Sequence, residues 1–225
     1  MEEKSVAIDG PSCAGKSTLA RMAADRFKMI YVDTGALYRC VGLSAMREGI
    51  ASKDAAGVIS MLGGLNIEMR YSGDGTQRMF VNGADVTGDI RLPETSVYAS
   101  DVSAIPAVRA FLFDMQKEMA RKYDVIMDGR DIGTVVMPDA GLKIYLTAPS
   151  AVRAARRYRE LTEKSIGTTY EDVLRDMNYR DKNDRLRAIA PLTVAADAIV
   201  VDTADIGLDE SLERVCTIIG ERFGL

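Results

Sequence analysis

The chain has 225 residues, 47 % hydrophobic and 28 % charged, enough to bury a full core in one domain with small excursions. Acidic residues outnumber basic ones, 33 against 29, and the net charge of −4 argues against a protein held to nucleic acid by bulk electrostatics. Histidine is absent, so any chemistry must run without imidazole as base, acid or metal ligand.

The start Met-Glu-Glu-Lys is acidic and leads straight into an apolar run, and no run approaches about 18 apolar residues, so neither a signal peptide nor a membrane span is expected. Cys13, Cys40 and Cys216 are odd in number and lack C-x-x-C spacing, which points to reduced thiols in a cytoplasmic protein and to no metal cluster. Repeats and low-complexity tracts are absent.

The run Val6-Ala7-Ile8 predicts a first strand. Directly after it stands Gly10-Pro11-Ser12-Cys13-Ala14-Gly15-Lys16-Ser17-Thr18. Glycines at this spacing let the backbone curl its N–H groups inward around phosphates, a lysine reaches the outer phosphates, and a hydroxyl suits a magnesium site. Ser17 and Thr18 open a helix whose dipole favours the anion. The segment Gly10 to Thr18 therefore reads as a nucleotide phosphate loop.

Met29-Ile30-Tyr31-Val32 predicts the second strand, and Asp33-Thr34-Gly35-Ala36-Leu37-Tyr38-Arg39 follows it with Arg39 about one helical turn from Gly35. Residues 65–91 alternate in strand fashion around Gly73-Asp74-Gly75 and Asn82-Gly83, both hairpin signals, and predict a small antiparallel insert. Val125-Ile126-Met127 is the third core strand, with Asp128-Gly129-Arg130-Asp131 at its end. Lys143-Ile144-Tyr145-Leu146 is the fourth. Next, Arg153, Arg156, Arg157 and Arg159 crowd a predicted helix, and Ser165-Ile166-Gly167-Thr168-Thr169 reads as a loop ending in a helix cap. That stretch suits either a solvated basic face paired with glutamates or a lid that brings a guanidinium to a transferring phosphoryl group.

Arg180-Asp181-Lys182-Asn183-Asp184-Arg185-Leu186-Arg187 supplies a charged helix ahead of Pro191, and Ala198-Ile199-Val200-Val201 is the fifth strand. All five strands read as fully buried, and their alternation with helices predicts an α/β fold: a parallel sheet covered on both faces, with ligands at the carboxyl ends of its strands.

These residues together resemble the bacterial cytidylate kinases, a family of nucleoside monophosphate kinases. The resemblance covers nearly the whole chain. It rests on Ile8-Asp9-Gly10-Pro11-Ser12 with Ala14-Gly15-Lys16-Ser17, on Asp33-Thr34-Gly35-Ala36 with Tyr38-Arg39, on Asp128-Gly129-Arg130-Asp131 with Gly133-Thr134-Val135-Val136, and on Arg187 with Ala190-Pro191-Leu192.

The resemblance implies a single P-loop kinase domain over 1–225, a monophosphate-binding insert at 65–91 and a lid at 153–168. It implies phosphorylation of CMP and dCMP by ATP with Mg²⁺, in a monomer that binds neither nucleic acid nor membrane. By the same resemblance Ser100, Arg109 and Asp131 read the base, Arg39, Arg130 and Arg187 hold the acceptor phosphate, and Asp184 with Arg180 holds the sugar hydroxyls. Thr34 and Tyr38 join that acceptor set, and Arg157 joins the ATP-binding residues, although spacing alone does not decide which lid arginine approaches the phosphate. Lys16, Arg130, Arg187 and Asp128 form the expected catalytic group, with Mg²⁺ on Ser17 and, through water, on Asp128. Closure of the two excursions would keep water from the phosphoryl group.

The chain departs from the family at Cys13, where glycine is usual. A side chain there is compatible only with backbone outside the left-handed region, and the expectation is retained ATP binding with sensitivity to thiol reagents. From the residues alone two alternatives stay open. One is a kinase of the same fold acting on UMP or a metabolite. The other is a nucleotide-dependent switch, although Lys182-Asn183-Asp184 lacks the order of a guanine-reading Asn-Lys-x-Asp motif.

Overall fold

A computed structural model describes residues 4–73 and 75–225. The segment Met1 to Glu3, with its two glutamates, and the turn residue Asp74, both used in the sequence reading, lie outside the described residues. The chain divides into two compact units, one of residues 1–31 with 119–225 and one of residues 32–118.

The first unit is built on a five-stranded sheet in the order β2-β6-β1-β7-β8, formed by β1 (Ser5–Asp9), β2 (Ile30–Asp33), β6 (Val125–Gly129), β7 (Leu142–Thr147) and β8 (Ile199–Asp202). Central β1 runs parallel to β6, with Ile8 opposite Asp128, and parallel to β7, with Val6 opposite Leu142. Period-two alternation sends Val6, Ile8, Ile126, Ile144 and Leu146 to one face. There they pack with Leu19, Ala20 and Ala23 of α1 (Lys16–Phe27) and Val215 and Ile219 of α8 (Leu208–Phe223). All five predicted strands form, but β8 is not buried. It is the edge strand, Ile199 and Val200 are about half exposed, and only Val201 is fully covered.

Two further helices of this unit, α6 (Ser150–Glu163) and α7 (Tyr170–Leu186), pack through Ala154, Leu161, Val173 and Met177. Ser165, at φ 57°, turns the chain between them. Thr169 caps α7, its hydroxyl accepting from the Asp172 N–H, as the sequence suggested.

The second unit holds α2 (Thr34–Arg47), α3 (Ala55–Leu62), α4 (Pro93–Val102), most of α5 (Pro106–Lys122) and a three-stranded antiparallel sheet. That sheet is the predicted insert: β3 (Ile67–Tyr71), β4 (Gln77–Val81) and β5 (Ala84–Asp85). Asn82 and Gly83 join the last two with φ of 50° and 81°, the positive pair that a tight hairpin turn requires. Leu37, Val41, Val58, Met79, Ile90, Val102, Val108 and Leu112 form a core of the unit's own.

Candidate active site

The phosphate loop leaves the end of β1 through Gly10, at φ 152°, where a Cβ would lie 2.0 Å from the Leu146 carbonyl oxygen. No other residue fits so close to the neighbouring strand. Gly15, at φ 87°, then caps α1 without a side chain, leaving the first N–H groups of the helix directed to the loop. Between the two glycines Cys13 stands at φ 59°, inside the left-handed region that the sequence reading required it to avoid. Its neighbours impose that conformation: Ser12 is fully buried and bonded through both its N–H and its carbonyl, and Cys13 packs on the α6–α7 cluster.

Lys16 is buried and its Nζ donates to the Pro11 carbonyl at 2.8 Å, folding back over the loop. Burial and the nearby Arg130 push its pKa down to about 7. The Ser17 hydroxyl donates to Asp128 Oδ2 at 2.9 Å, and Tyr31 donates to Asp128 Oδ1 at 2.9 Å. A hydroxyl held against a carboxylate is an oxygen-only donor set of the kind Mg²⁺ uses when phosphates and waters complete its shell. The side chains of Ser17 and Asp128 therefore fit that ion.

Four members of the expected acceptor set meet at the carboxyl end of β6 and on α7. Arg130 Nε pairs with Asp184 Oδ2 at 2.8 Å, and its Nη2 donates to Ser12 Oγ at 3.2 Å. Arg187 Nη2 pairs with Asp131 Oδ1 at 2.8 Å, both side chains being buried, and its Nε donates to the Ala190 carbonyl. Burial alone would raise the Asp184 carboxyl, yet Arg130, Arg187 and Arg180 hold it below the usual range. Asp181, Asp184 and Arg187 do not pair with one another along an exposed helix, as Arg175 and Asp172 do nearer the start of α7. Asp181 turns to Ser12 and Arg153, Asp184 to Arg130, and Arg187 to Asp131.

Of the remaining acceptor candidates, Arg180 lies on α7 in the first unit, and Thr34, Tyr38, Arg39, Ser100 and Arg109 belong to the second. Asp33 caps α2 by accepting from the Ala36 N–H and lies 3.8 Å from Arg39 and 2.8 Å from Arg91. These two guanidinium groups hold its carboxyl low against the raising effect of burial. Arg109 is buried with its guanidinium 5.6 Å from the Tyr38 ring centre. Ser100 and Thr34 are buried too.

Of the four arginines on α6, two are committed elsewhere. Arg153 is buried against the phosphate loop, and Arg156 donates to the Thr203 hydroxyl and carbonyl. Arg157 pairs with Glu160 at 2.7 Å, and Arg159 is exposed.

Three residues had no role in the sequence reading. Asp9, the last residue of β1, accepts from the Ile132 and Gly133 N–H groups at 2.9 and 2.7 Å and fixes the single π turn Ile132–Val136 behind Asp131. Burial pushes its carboxyl up to about 6. Gln77 of the insert brackets Asp33, accepting from its N–H and donating to its carbonyl, and Arg91 adds the second guanidinium to that carboxylate. The position of Asp9 at a strand end is the one signal that pointed to any of them.

A sequence model of the family described as "Cytidylate kinase" matches residues 6–221. A cytidylate kinase of Caldicellulosiruptor bescii is 46 % identical over 215 residues, covering 96 % of this chain and 95 % of the relative. One from Clostridium acetobutylicum is 43 % identical over 217 residues, covering 96 % and 98 %. Among solved structures, a shikimate kinase from Bacteroides thetaiotaomicron superposes with a TM-score of 0.50 at 14 % identity over 99 % of each chain, a likeness of fold alone.

Proposed function

The chain belongs to the cytidylate kinase family, and from that premise we propose that it transfers the γ-phosphoryl group of ATP to CMP and dCMP, giving CDP and dCDP. An oxygen of the acceptor phosphate attacks the γ-phosphorus in line, the new P–O bond forms, and the bond to the bridging oxygen breaks to release ADP. The acceptor phosphate has a second pKa of about 6 and is mostly ionised at neutral pH, so no histidine or other base is needed.

The residues do positioning and charge neutralisation. The backbone from Gly10 to Thr18 wraps the donor phosphates and neutralises their charge, and Lys16 swings from Pro11 to the outer ones. Ser17 and, through water, Asp128 would hold Mg²⁺, which offsets the charge of the donor phosphates when bound. Arg39, Arg130 and Arg187 grip the acceptor phosphate with planar forks. Asp184 with Arg180 takes the sugar hydroxyls, and Thr34 and Tyr38 line the acceptor. Ser100, Arg109 and Asp131 read cytosine, whose exocyclic amine donor beside ring acceptors suits a carboxylate with donors. The lid is 153–168, with Arg157 as its contact to ATP, and the protein is a cytoplasmic monomer.

The observation that carries the reading is the Ser17–Asp128 hydrogen bond within a phosphate loop that is followed, in the same unit, by two arginines braced on carboxylates. An ADP-release assay with CMP, dCMP, UMP, AMP, GMP and no acceptor tests it. Preference for CMP and dCMP is expected. Equal use of UMP would overturn the roles given to Ser100, Arg109 and Asp131, and acceptor-independent hydrolysis would overturn the kinase reading.

A further inference from the structure

We propose that Arg153 and Asp181 are positioning residues for the donor nucleotide: a buried ion pair, one member from α6 and one from α7, that pins the phosphate loop at Ser12. The proposal rests on reading residues 10–18 as the donor cradle.

Ser12 is held through every polar group it has. Its N–H donates to Asp181 Oδ1 at 2.8 Å, its carbonyl accepts from Arg153 Nη1 at 2.6 Å, and its hydroxyl accepts from Arg130 Nη2 at 3.2 Å. Arg153 and Asp181 also bond each other at 2.7 Å, and Arg153 Nε donates to the Ala148 carbonyl just beyond β7, so the guanidinium is itself fixed to the sheet. All three residues are buried. With its N–H spent on Asp181, Ser12 offers no main-chain donor to a phosphate and acts as a peg in the loop, leaving the later N–H groups to the ligand.

The loop needs such a peg. Gly10 and Gly15 give its two ends wide conformational freedom, and between them Cys13 occupies a left-handed conformation that a side chain resists. A conformation of that kind persists only when its surroundings over-determine it, and Ser12 is the neighbouring residue through which they do so. The chemistry of the pair points the same way. A buried ion pair is seldom better for stability than apolar residues of equal size, whereas no apolar pair could bind both the N–H and the carbonyl of one residue. Arg153 sits on α6 and Asp181 on α7, the helices joined by residues 164–169, so each of the two helices supplies half of the clamp.

The test uses Asp181→Asn, Asp181→Ala and Arg153→Lys in the full chain, with ATP and CMP affinities measured separately by titration calorimetry beside kinetic constants. Asp181→Ala should weaken ATP binding by about tenfold or more, the worth of one to two charge-assisted hydrogen bonds, with CMP affinity within about twofold. Asp181→Asn keeps an acceptor for the Ser12 N–H but turns an amide donor toward Arg153, and should fall between. Arg153→Lys keeps the charge but cannot reach the Ser12 and Ala148 carbonyls together, and should likewise raise the KM for ATP more than that for CMP. If Asp181→Ala does not fold, the other two decide. Folded Asp181→Asn and Arg153→Lys proteins with ATP affinity within about twofold of the parent, or with ATP and CMP affinities lost in parallel, would overturn the proposal. A parent protein that binds no ATP would instead sink the reading of the loop itself.

Discussion

The buried carboxylate of Asp9 makes stability depend on pH in a way that one substitution isolates. Burial raises its pKa from the ordinary 3.8 to about 6, against the two N–H groups that favour its charged form. Between these values the native protein keeps a proton that the unfolded chain has released, so the contribution is complete below about pH 4 and is lost as the pH climbs through about 6. At 1.36 kcal/mol for each pH unit between the two values, the loss comes to about 3 kcal/mol.

In Asp9→Asn the amide does not titrate, and that loss disappears. The variant has one acceptor for the N–H groups of Ile132 and Gly133, a fixed cost of about 1–3 kcal/mol at every pH. Urea unfolding of both proteins between about pH 4 and pH 7.5 separates the two effects, because titrations of groups that do not interact with Asp9 cancel in the difference. The stability of the parent minus that of the variant should fall by about 3 kcal/mol across the window. A difference that stays flat within about 1 kcal/mol, or that grows with pH, would refute the assignment.

Three other outcomes follow from the same geometry. With Lys16 pushed down to about 7, half of the empty protein carries a neutral amine at that pH, so binding of ATP should take up about half a proton. Calorimetry in buffers of different ionisation heat reads this uptake, and Lys16→Ala should lose it together with turnover while remaining folded; near-normal turnover in that variant would count against the donor assignment. Asp128→Asn, which weakens the hold on the Ser17 hydroxyl, should raise the Mg²⁺ concentration for half-maximal rate by about tenfold or more, and an unchanged requirement would remove Asp128 from the metal site. In Cys13→Gly, relief of about 1 kcal/mol of left-handed strain is offset by a similar gain of freedom in the unfolded chain, so the unfolding midpoint should barely move. Mild alkylation should inactivate the parent and spare this variant, and inactivation that persists in it would show that the thiol acts elsewhere.

The phosphate loop, the parallel strands and the Asn82-Gly83 hairpin were legible because their signals are local: fixed glycine spacing, short apolar runs, and a residue pair suited to positive φ. The exposure of β8 was not, since an edge strand is made by sheet order and its apolar run looks like that of a central strand. The arginines of α6 were ambiguous for a related reason. Arg153 and Arg159 carry the same charge on one helix, and only partners distant in sequence, Ser12 and Asp181, make one of them a buried brace. Cys13 misled because the reading allowed the chain no outside source of strain, whereas the bonds to Ser12 supply one. The Asp131 and Arg187 motif residues were picked out singly; that each is the other's counter-ion depends on a separation of 56 residues in the chain.

Arg187 already grips an anion of the protein's own. Its Nη2 rests on the Asp131 carboxylate in a setting from which water is largely excluded, so on the proposed role of Arg187 an acceptor phosphate would have to compete with a resident charge. Entry by exchange would set a threshold that simple attraction would not: a visitor would have to displace a carboxylate from the same guanidinium. A doubly ionised monophosphate brings two negative charges to that contest, and a carboxylate or a singly charged ester brings one. On that proposed role, selection for a monophosphate would begin before any base is read.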